Sequence, residues 1–155
     1  MGILDFVKAP EPREHPRLGT LRYRSGRWRG TIALEESKGV ALLIPGGRGG
    51  PDPGALDSAE RAAGWWGAAR ASVAKELFEH YSNGKDAGLP AIAGLAAPDA
   101  VWRHVRISSV QVRPFQAANE ILVALHTAWD EEHTLGAHLR EEALVELNGS
   151  ILEAR

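Results

Sequence analysis

The chain has 155 residues, 44% of them hydrophobic and 25% charged, the proportions of an ordinary globular domain. A chain of this length buries about 70% of the surface its unfolded form exposes, so one domain spanning residues 1–155 is expected without staples. Eighteen Lys and Arg stand against twenty Asp and Glu, a net charge of −2. That leaves no surplus of cations to release counterions from a polyanion, so no nucleic-acid partner is expected.

Cysteine is absent, which excludes disulfides, thiolate metal sites and a cysteine nucleophile. No run reaches the roughly 18 apolar residues a helix needs to cross a bilayer, so no membrane partner is expected. Met1 to His15 holds no apolar core of signal-peptide length, and the cytoplasm is the expected compartment.

Residues 1–17 carry Pro10, Pro12 and Pro16 among charges, which predicts an extended N-terminal arm, with Ile3, Leu4, Phe6 and Val7 available to pin its start. Strand signals begin at Leu18. Leu21 and Tyr23 alternate with Arg22 and Arg24, and Ser25-Gly26 is a two-residue turn. Trp28, Gly30, Ile32 and Leu34 continue at period two with Arg27, Arg29 and Thr31 opposite, and Val40 to Ile44 is an apolar run suited to a strand buried on both faces. Leu18–Ile44 is therefore a three-strand antiparallel meander. The Gly- and Pro-rich stretch from Pro45 to Gly54 lacks both the Walker ending and the G-x-G-x-x-G spacing, and reads as a flexible connector.

Asp57 with Glu60 forms a capping box for a long helix on which Ala62, Trp66, Ala69, Val73 and Leu77 make one apolar stripe that Trp65 widens. Ser82-Asn83-Gly84 is its predicted stop near Tyr81. Lys85 to Pro98 reads as a surface connection, and Asp99 as the cap of a brief helix through Trp102 and His104. Val105, Ile107, Val110 and Val112 mark a strand whose phase shift predicts a bulge at Ser108-Ser109 and whose end is Pro114. Ile121 to Trp129 is apolar on both faces and predicts a central strand. Beyond it, residues 135–147 fit either a hairpin or, through the four-residue spacing of Leu139, Ala143 and Leu147, a helix. The hairpin is preferred.

Trp129-Asp130-Glu131-Glu132-His133-Thr134-Leu135-Gly136 is the stretch richest in chemistry-bearing side chains. A metal site needs three or four ligands converging on one point. On a strand, adjacent residues face opposite ways, so at most Asp130 and Glu132 share a side, with His126 and, if the chain runs straight through Gly136, His138. H-E-x-x-H is absent and no nucleophile elbow appears, so no catalytic residue, metal or cofactor is assigned. The competing reading is structural: Trp129 anchors a polar turn, and Gly136 allows a bend or a close approach.

This segment, followed by Val145-Glu146-Leu147-Asn148-Gly149-Ser150-Ile151, resembles the closing signature of uncharacterised bacterial domain families. The opening His15-Pro16-x-Leu18-Gly19-x-Leu21 and Trp28-x-Gly30 is similar to the start of such domains. The resemblance implies a C-terminal strand, Asp-Glu-His-x-x-Gly, strand, turn and strand. It also implies a link to toxin–immunity loci, where the product binds and neutralises a protein partner.

The expectation is thus an α+β domain, an antiparallel sheet of the meander plus C-terminal strands covered by one long amphipathic helix, acting as a non-enzymatic interaction protein. Its candidate surface is Trp129, Asp130, Glu131, Glu132, His133 and Gly136, together with the face of Arg22, Arg24, Arg27 and Arg29. Two alternatives are a metal-assisted hydrolase using the Asp130–His133 cluster, and a small-ligand pocket between helix and sheet lined by Trp28, Trp65 and Trp66.

Overall fold

The structure is a computed structural model that describes residues 8–35 and 37–153. The expected anchor at Ile3, Leu4, Phe6 and Val7 lies outside the described residues. The meander forms as the alternation predicts. Strands β2 (Gly19–Arg24), β3 (Arg27–Leu34) and β4 (Ser37–Gly47) pair antiparallel in sequence. The β2–β3 turn has positive φ at both Ser25 (53°) and Gly26 (78°), the mirror-image turn whose twist suits a hairpin. Val40 to Ile44 departs from the expectation at one position: Ala41 is exposed while its four neighbours are buried.

Part of the N-terminal arm is strand. Arg13–His15 forms β1 on the edge beside β2. The flanking Pro12 and Pro16 are tolerated because the edge needs no donor from them. His15 supplies the missing signal. Its Nδ1 accepts the backbone N–H groups of Arg17 and Leu18, both at 3.1 Å, and its Nε2 donates to Glu60 at 2.6 Å. One imidazole therefore closes the β1–β2 turn and ties it to the helix.

The stretch from Pro45 to Gly54 is ordered rather than a flexible connector. β4 runs on to Gly47 and folds back through β5 (Gly50–Pro51). Trp28 Nε1–H donates to the Gly47 carbonyl at 2.9 Å, and Asp52 N–H to the Pro45 carbonyl at 2.8 Å. Glycine is required at 46: a Cβ there would sit 2.5 Å from the Gly50 carbonyl oxygen and 2.7 Å from Pro51 Cα.

Helix α1 covers Pro53–Asp86, 34 residues or about 51 Å. The predicted stripe is its buried side, with Ala55, Ala59, Ala74 and Tyr81 extending it. Both predicted ends move outward. The cap is Asp52, whose carboxylate accepts Ala55 N–H at 2.9 Å, and Pro53 suits the first turn, where its missing N–H costs nothing. Asp57 instead makes an exposed ion pair with Arg61, and Glu60 serves His15. At the other end Ser82-Asn83-Gly84 stays helical. Gly88, at φ +105°, takes the left-handed stop, and Leu89 packs over Gly84 where a Cβ would meet it at 2.8 Å.

The segment to Pro98 is less peripheral than expected: Leu95 is buried, and Ile92 N–H donates to Tyr81 Oη at 2.9 Å. A 3₁₀ helix at Pro98–His104 follows, with no side-chain cap from Asp99. β6 (Val105–Phe115) carries the predicted irregularity between Ile107 and Ser109 and runs one residue past Pro114. β7 (Ala118–Thr127), β8 (Asp130–Arg140) and β9 (Ala143–Asn148) complete an antiparallel run, so residues 135–147 are the hairpin and not the helix.

The sheet order is β1-β2-β3-β4-β6-β7-β8-β9, and every neighbouring pair is antiparallel except β4 and β6. α1 makes the crossover between those two and packs on one face, over Leu42, Ile44, Val110, Val112, Ile121, Val123, Leu125, Leu135, Ala137 and Leu139. The described residues thus form the expected α+β architecture, a mostly antiparallel sheet under one long helix.

Gly46→Ala is expected to destabilise the protein by about 1–3 kcal/mol, because the Gly50–Asp52 backbone that the new methyl meets must shift. Gly47→Ala, which meets nothing within 4 Å, should change stability by less than about 0.5 kcal/mol. Urea denaturation of the two variants checks this; equal effects would contradict the account of the 45–52 hairpin.

Candidate functional site

Each residue of the expected 129–136 cluster has a distinct environment. Trp129 lies in the β7–β8 turn, 3% exposed, edge-on to Tyr81 at 5.5 Å. Its Nε1–H donates to His80 Nδ1 at 3.0 Å, joining the hairpin to the last third of α1. The ladder then jumps from Thr127↔Asp130 to His126↔Thr134, so Glu131, Glu132 and His133 form a bulge with no partners across the ladder. Both glutamates and His133 are exposed. His133 Nδ1 meets both Asp130 carboxylate oxygens, at 2.8 and 3.0 Å.

Gly136 lies inside β8, where a Cβ would stand 2.8 Å from both Ile151 Cγ2 and Leu122 Cδ1. The expected close approach is real. What approaches is the C-terminal tail, held by Ile151 N–H donating to the Thr134 carbonyl at 2.8 Å.

The other histidines go elsewhere. His126 Nε2 faces Ser108 Oγ and Glu153 Oε2, both at 3.1 Å, while Ser108 also contacts Glu153. Ser, His and Glu meet here without making a nucleophile relay, which needs the serine and the acid on opposite ring nitrogens. His138 Nδ1 is 3.4 Å from Glu120, which also accepts Arg140 Nε at 3.4 Å. Among the described residues no three His, Asp or Glu side chains converge as a metal site.

Asp130 acts electrostatically on two histidines. Its hydrogen bond, and then its charge, raise the His133 pKa above the ordinary 6.5. His80 is lowered, chiefly because burial disfavours the imidazolium, although Asp130 pulls it back up. For Glu153, burial raises the pKa, but the hydrogen bonds of Ser108 and His126 outweigh it and hold the carboxyl below its usual value.

The face of the sheet away from α1 is the larger feature. Register places Arg22 opposite Arg29 and Arg24 opposite Arg27, and it carries the same face across Leu43 and Pro45 to Gln111 and Arg113. Leu43 and Leu122 form an apolar floor, 3% and 5% exposed. Arg27, Gln111, Arg113, His138 and the tail from Ser150 to Glu153 line a groove of about 610 Å³ over Leu122, and Leu43 lines the adjoining hollow with Arg27, Gln111 and Arg113. Arg27 Nη1 and His138 Nε2 are buried with no hydrogen-bond partner among the described residues. The arginine face was visible as alternation in β2 and β3. Arg113 and the tail were missed, although Gln111 and Arg113 alternate with Val110 and Val112 and so carried the same signal.

The opposite shifts at His133 and His80 set opposite pH dependences. The stabilisation from His133 is fully present below pH 6.5 and disappears as pH rises through its raised pKa. That from neutral His80 is present above 6.5 and disappears as pH falls through its lowered pKa. Asp130→Asn should lower both titrations, His133 more than His80, in NMR ring-proton measurements. An unchanged His133 titration would contradict the pairing.

Residues 17–151 match the family described as a domain of unknown function (DUF6985). No curated protein and no solved structure matches the chain. The family match extends from the turn after β1, through the sheet and α1, to the tail residue seated on Gly136, and the chain belongs to that family.

Proposed function

We propose that this domain is a non-enzymatic, immunity-like interaction module that docks an acidic, extended segment of another protein on the open face of its sheet. The observation that supports this reading is the Arg24–Arg27 rung between β2 and β3. Like charges directly opposite on one face of a ladder are destabilising, so an arrangement that costs stability in the free protein is accounted for by an anionic partner that relieves it. Arg113 continues the basic side, Leu122 gives the groove an apolar floor, and Leu43 lines the adjoining hollow on the same face. Carboxylates of a peptide answer the guanidinium forks, and its apolar side chains answer the leucines.

A protein segment suits this face better than nucleic acid. Glu120, Glu146 and Glu153 occupy its β7–β9 side, where a phosphate backbone would meet repulsion, and the floor offers leucine rather than a stacking surface. The Trp129–His133 turn fits a supporting role, because its Trp is packed and its His satisfied within the hairpin. The metal-assisted hydrolase gains no support from a cluster in which Asp130 and His133 pair with each other and, among the described residues, no third ligand joins them. A cytoplasmic setting belongs to the same proposal; no helix among the described residues is long and apolar enough to cross a membrane.

The test is capture from the native host by the wild-type chain and by R27E/R113E. The proposal expects a stoichiometric protein partner that binds through an acidic segment, with affinity reduced at least about tenfold by the charge reversals and weakened by salt. Equal capture by both chains, no stoichiometric partner, or retention of oligonucleotides in place of protein would overturn it.

A further inference from the structure

Between α1 and the sheet there is a cavity of about 200 Å³ that the open-face reading does not use. It lies where the 3₁₀ helix meets the start of β6, lined by Trp66, Arg70, Trp102, Arg103, Val105 and Ile107. Of the three tryptophans expected around such a pocket, Trp66 lines it. Trp28 is packed against Tyr23 in the core, and Trp65 is a half-buried helix residue. Trp102 takes their place, edge-on to Trp66 at 5.5 Å and 73°.

Two features distinguish this space from a packing defect. Trp66 is 1% exposed, yet its Nε1–H is buried with no hydrogen-bond acceptor among the described residues. A buried donor left unpaired is costly, so an acceptor brought to it gains more than one brought to an exposed donor. Two guanidiniums also border the cavity. Arg70 is held over the Trp102 ring, 4.5 Å from its centroid, and exposed Arg103 belongs to the mouth. The remaining walls are the aliphatic Val105 and Ile107 and the hydroxyl-bearing Ser37. An apolar space of about 150 Å³ accommodates benzene, so this one takes a single ring carrying one small substituent.

We infer that the cavity bordered by Trp66 and Trp102 is a binding site for a small aromatic carboxylate, its ring against Trp102, Val105 and Ile107 and its carboxylate on Trp66 Nε1–H and Arg103. The donor set selects the class. An indole N–H and a guanidinium donate only, and the Ser37 hydroxyl can donate as well; the two bordering guanidiniums repel a cationic amine, and a ring without the carboxylate leaves the indole donor unanswered. This site lies on the α1 side of the sheet, independent of the arginine face.

The probe is benzoate, titrated into the full chain with ¹⁵N-labelled tryptophan and followed by the indole N–H resonances. Saturable binding is expected to move the Trp66 signal while that of Trp129, already donating to His80, stays in place. Trp66→Phe, which keeps a ring and removes the donor, should weaken benzoate about tenfold. Arg103→Ala, at an exposed position outside the packed core, should weaken it as well and keeps the test decisive if Trp66→Phe does not fold. Toluene and benzylamine should each bind at least about tenfold less tightly than benzoate. No saturable shift at Trp66, a cavity that takes up only water, equal binding of toluene, or benzoate affinity unchanged in Arg103→Ala would overturn the assignment.

Discussion

Strands β4 and β6 run parallel, and two parallel neighbours cannot be joined by a hairpin. The chain must leave one end of the sheet, travel its length and re-enter, which α1 does in 34 residues. That one crossover puts the helical cover on a single face. It also decides which half of each alternating strand is core: Leu42 and Ile44 go under the helix, while Leu43 goes to the far side. The small residues of the stripe, Ala55, Ala59, Ala62 and Ala69, let the helix lie close, and Trp66 and Tyr81 fill the wider gaps. Fastenings hold the helix at two points, His15 on Glu60 near its start and Trp129 on His80 near its end.

The uncovered face has to be stable without a second layer. Leu43 and Leu122 are buried there, Leu122 beside the returning tail, whose Ile151 requires a glycine at 136. Charge is sorted along the strand order. Glu120 and Glu153 are engaged by Arg140, His126 and Ser108 toward β7 and β8, while Arg22, Arg24, Arg27 and Arg29 stand together on β2 and β3. A face divided in this way gives a bound segment both a direction and a register, which an evenly mixed surface would not.

What was legible in the sequence was local. Period-two alternation gave the meander and the slip at Ser108-Ser109, alternation together with the family resemblance gave the hairpin over the helix at 135–147, and the four-residue spacing gave the Ala62–Leu77 stripe. Asp52-Pro53 was hidden inside a Gly- and Pro-rich run that looks like a connector, so the helix start was placed at Asp57. His15 closes its turn through Glu60, 45 residues away, and no local pattern reports such a contact. The β4–β6 pairing is likewise non-local. The apparent site at 130–133 owed its density to four polar residues in a row, and the ladder turns that row into a bulge in which Asp130 and His133 pair with each other and the two glutamates stay exposed. Trp102 was read only as part of a brief helix, because nothing local says which tryptophan it will meet.

The central claim is that the face away from α1 is the one that meets a partner. A photo-reactive phenylalanine analogue at Gln111, on the floor of the groove, and another at Glu76, on the exposed side of α1, test it most directly in the native host. The account predicts one dominant protein cross-link from position 111, mapping to an acidic segment, and none to that protein from position 76. Cross-linking to a protein partner from position 76 alone would contradict it.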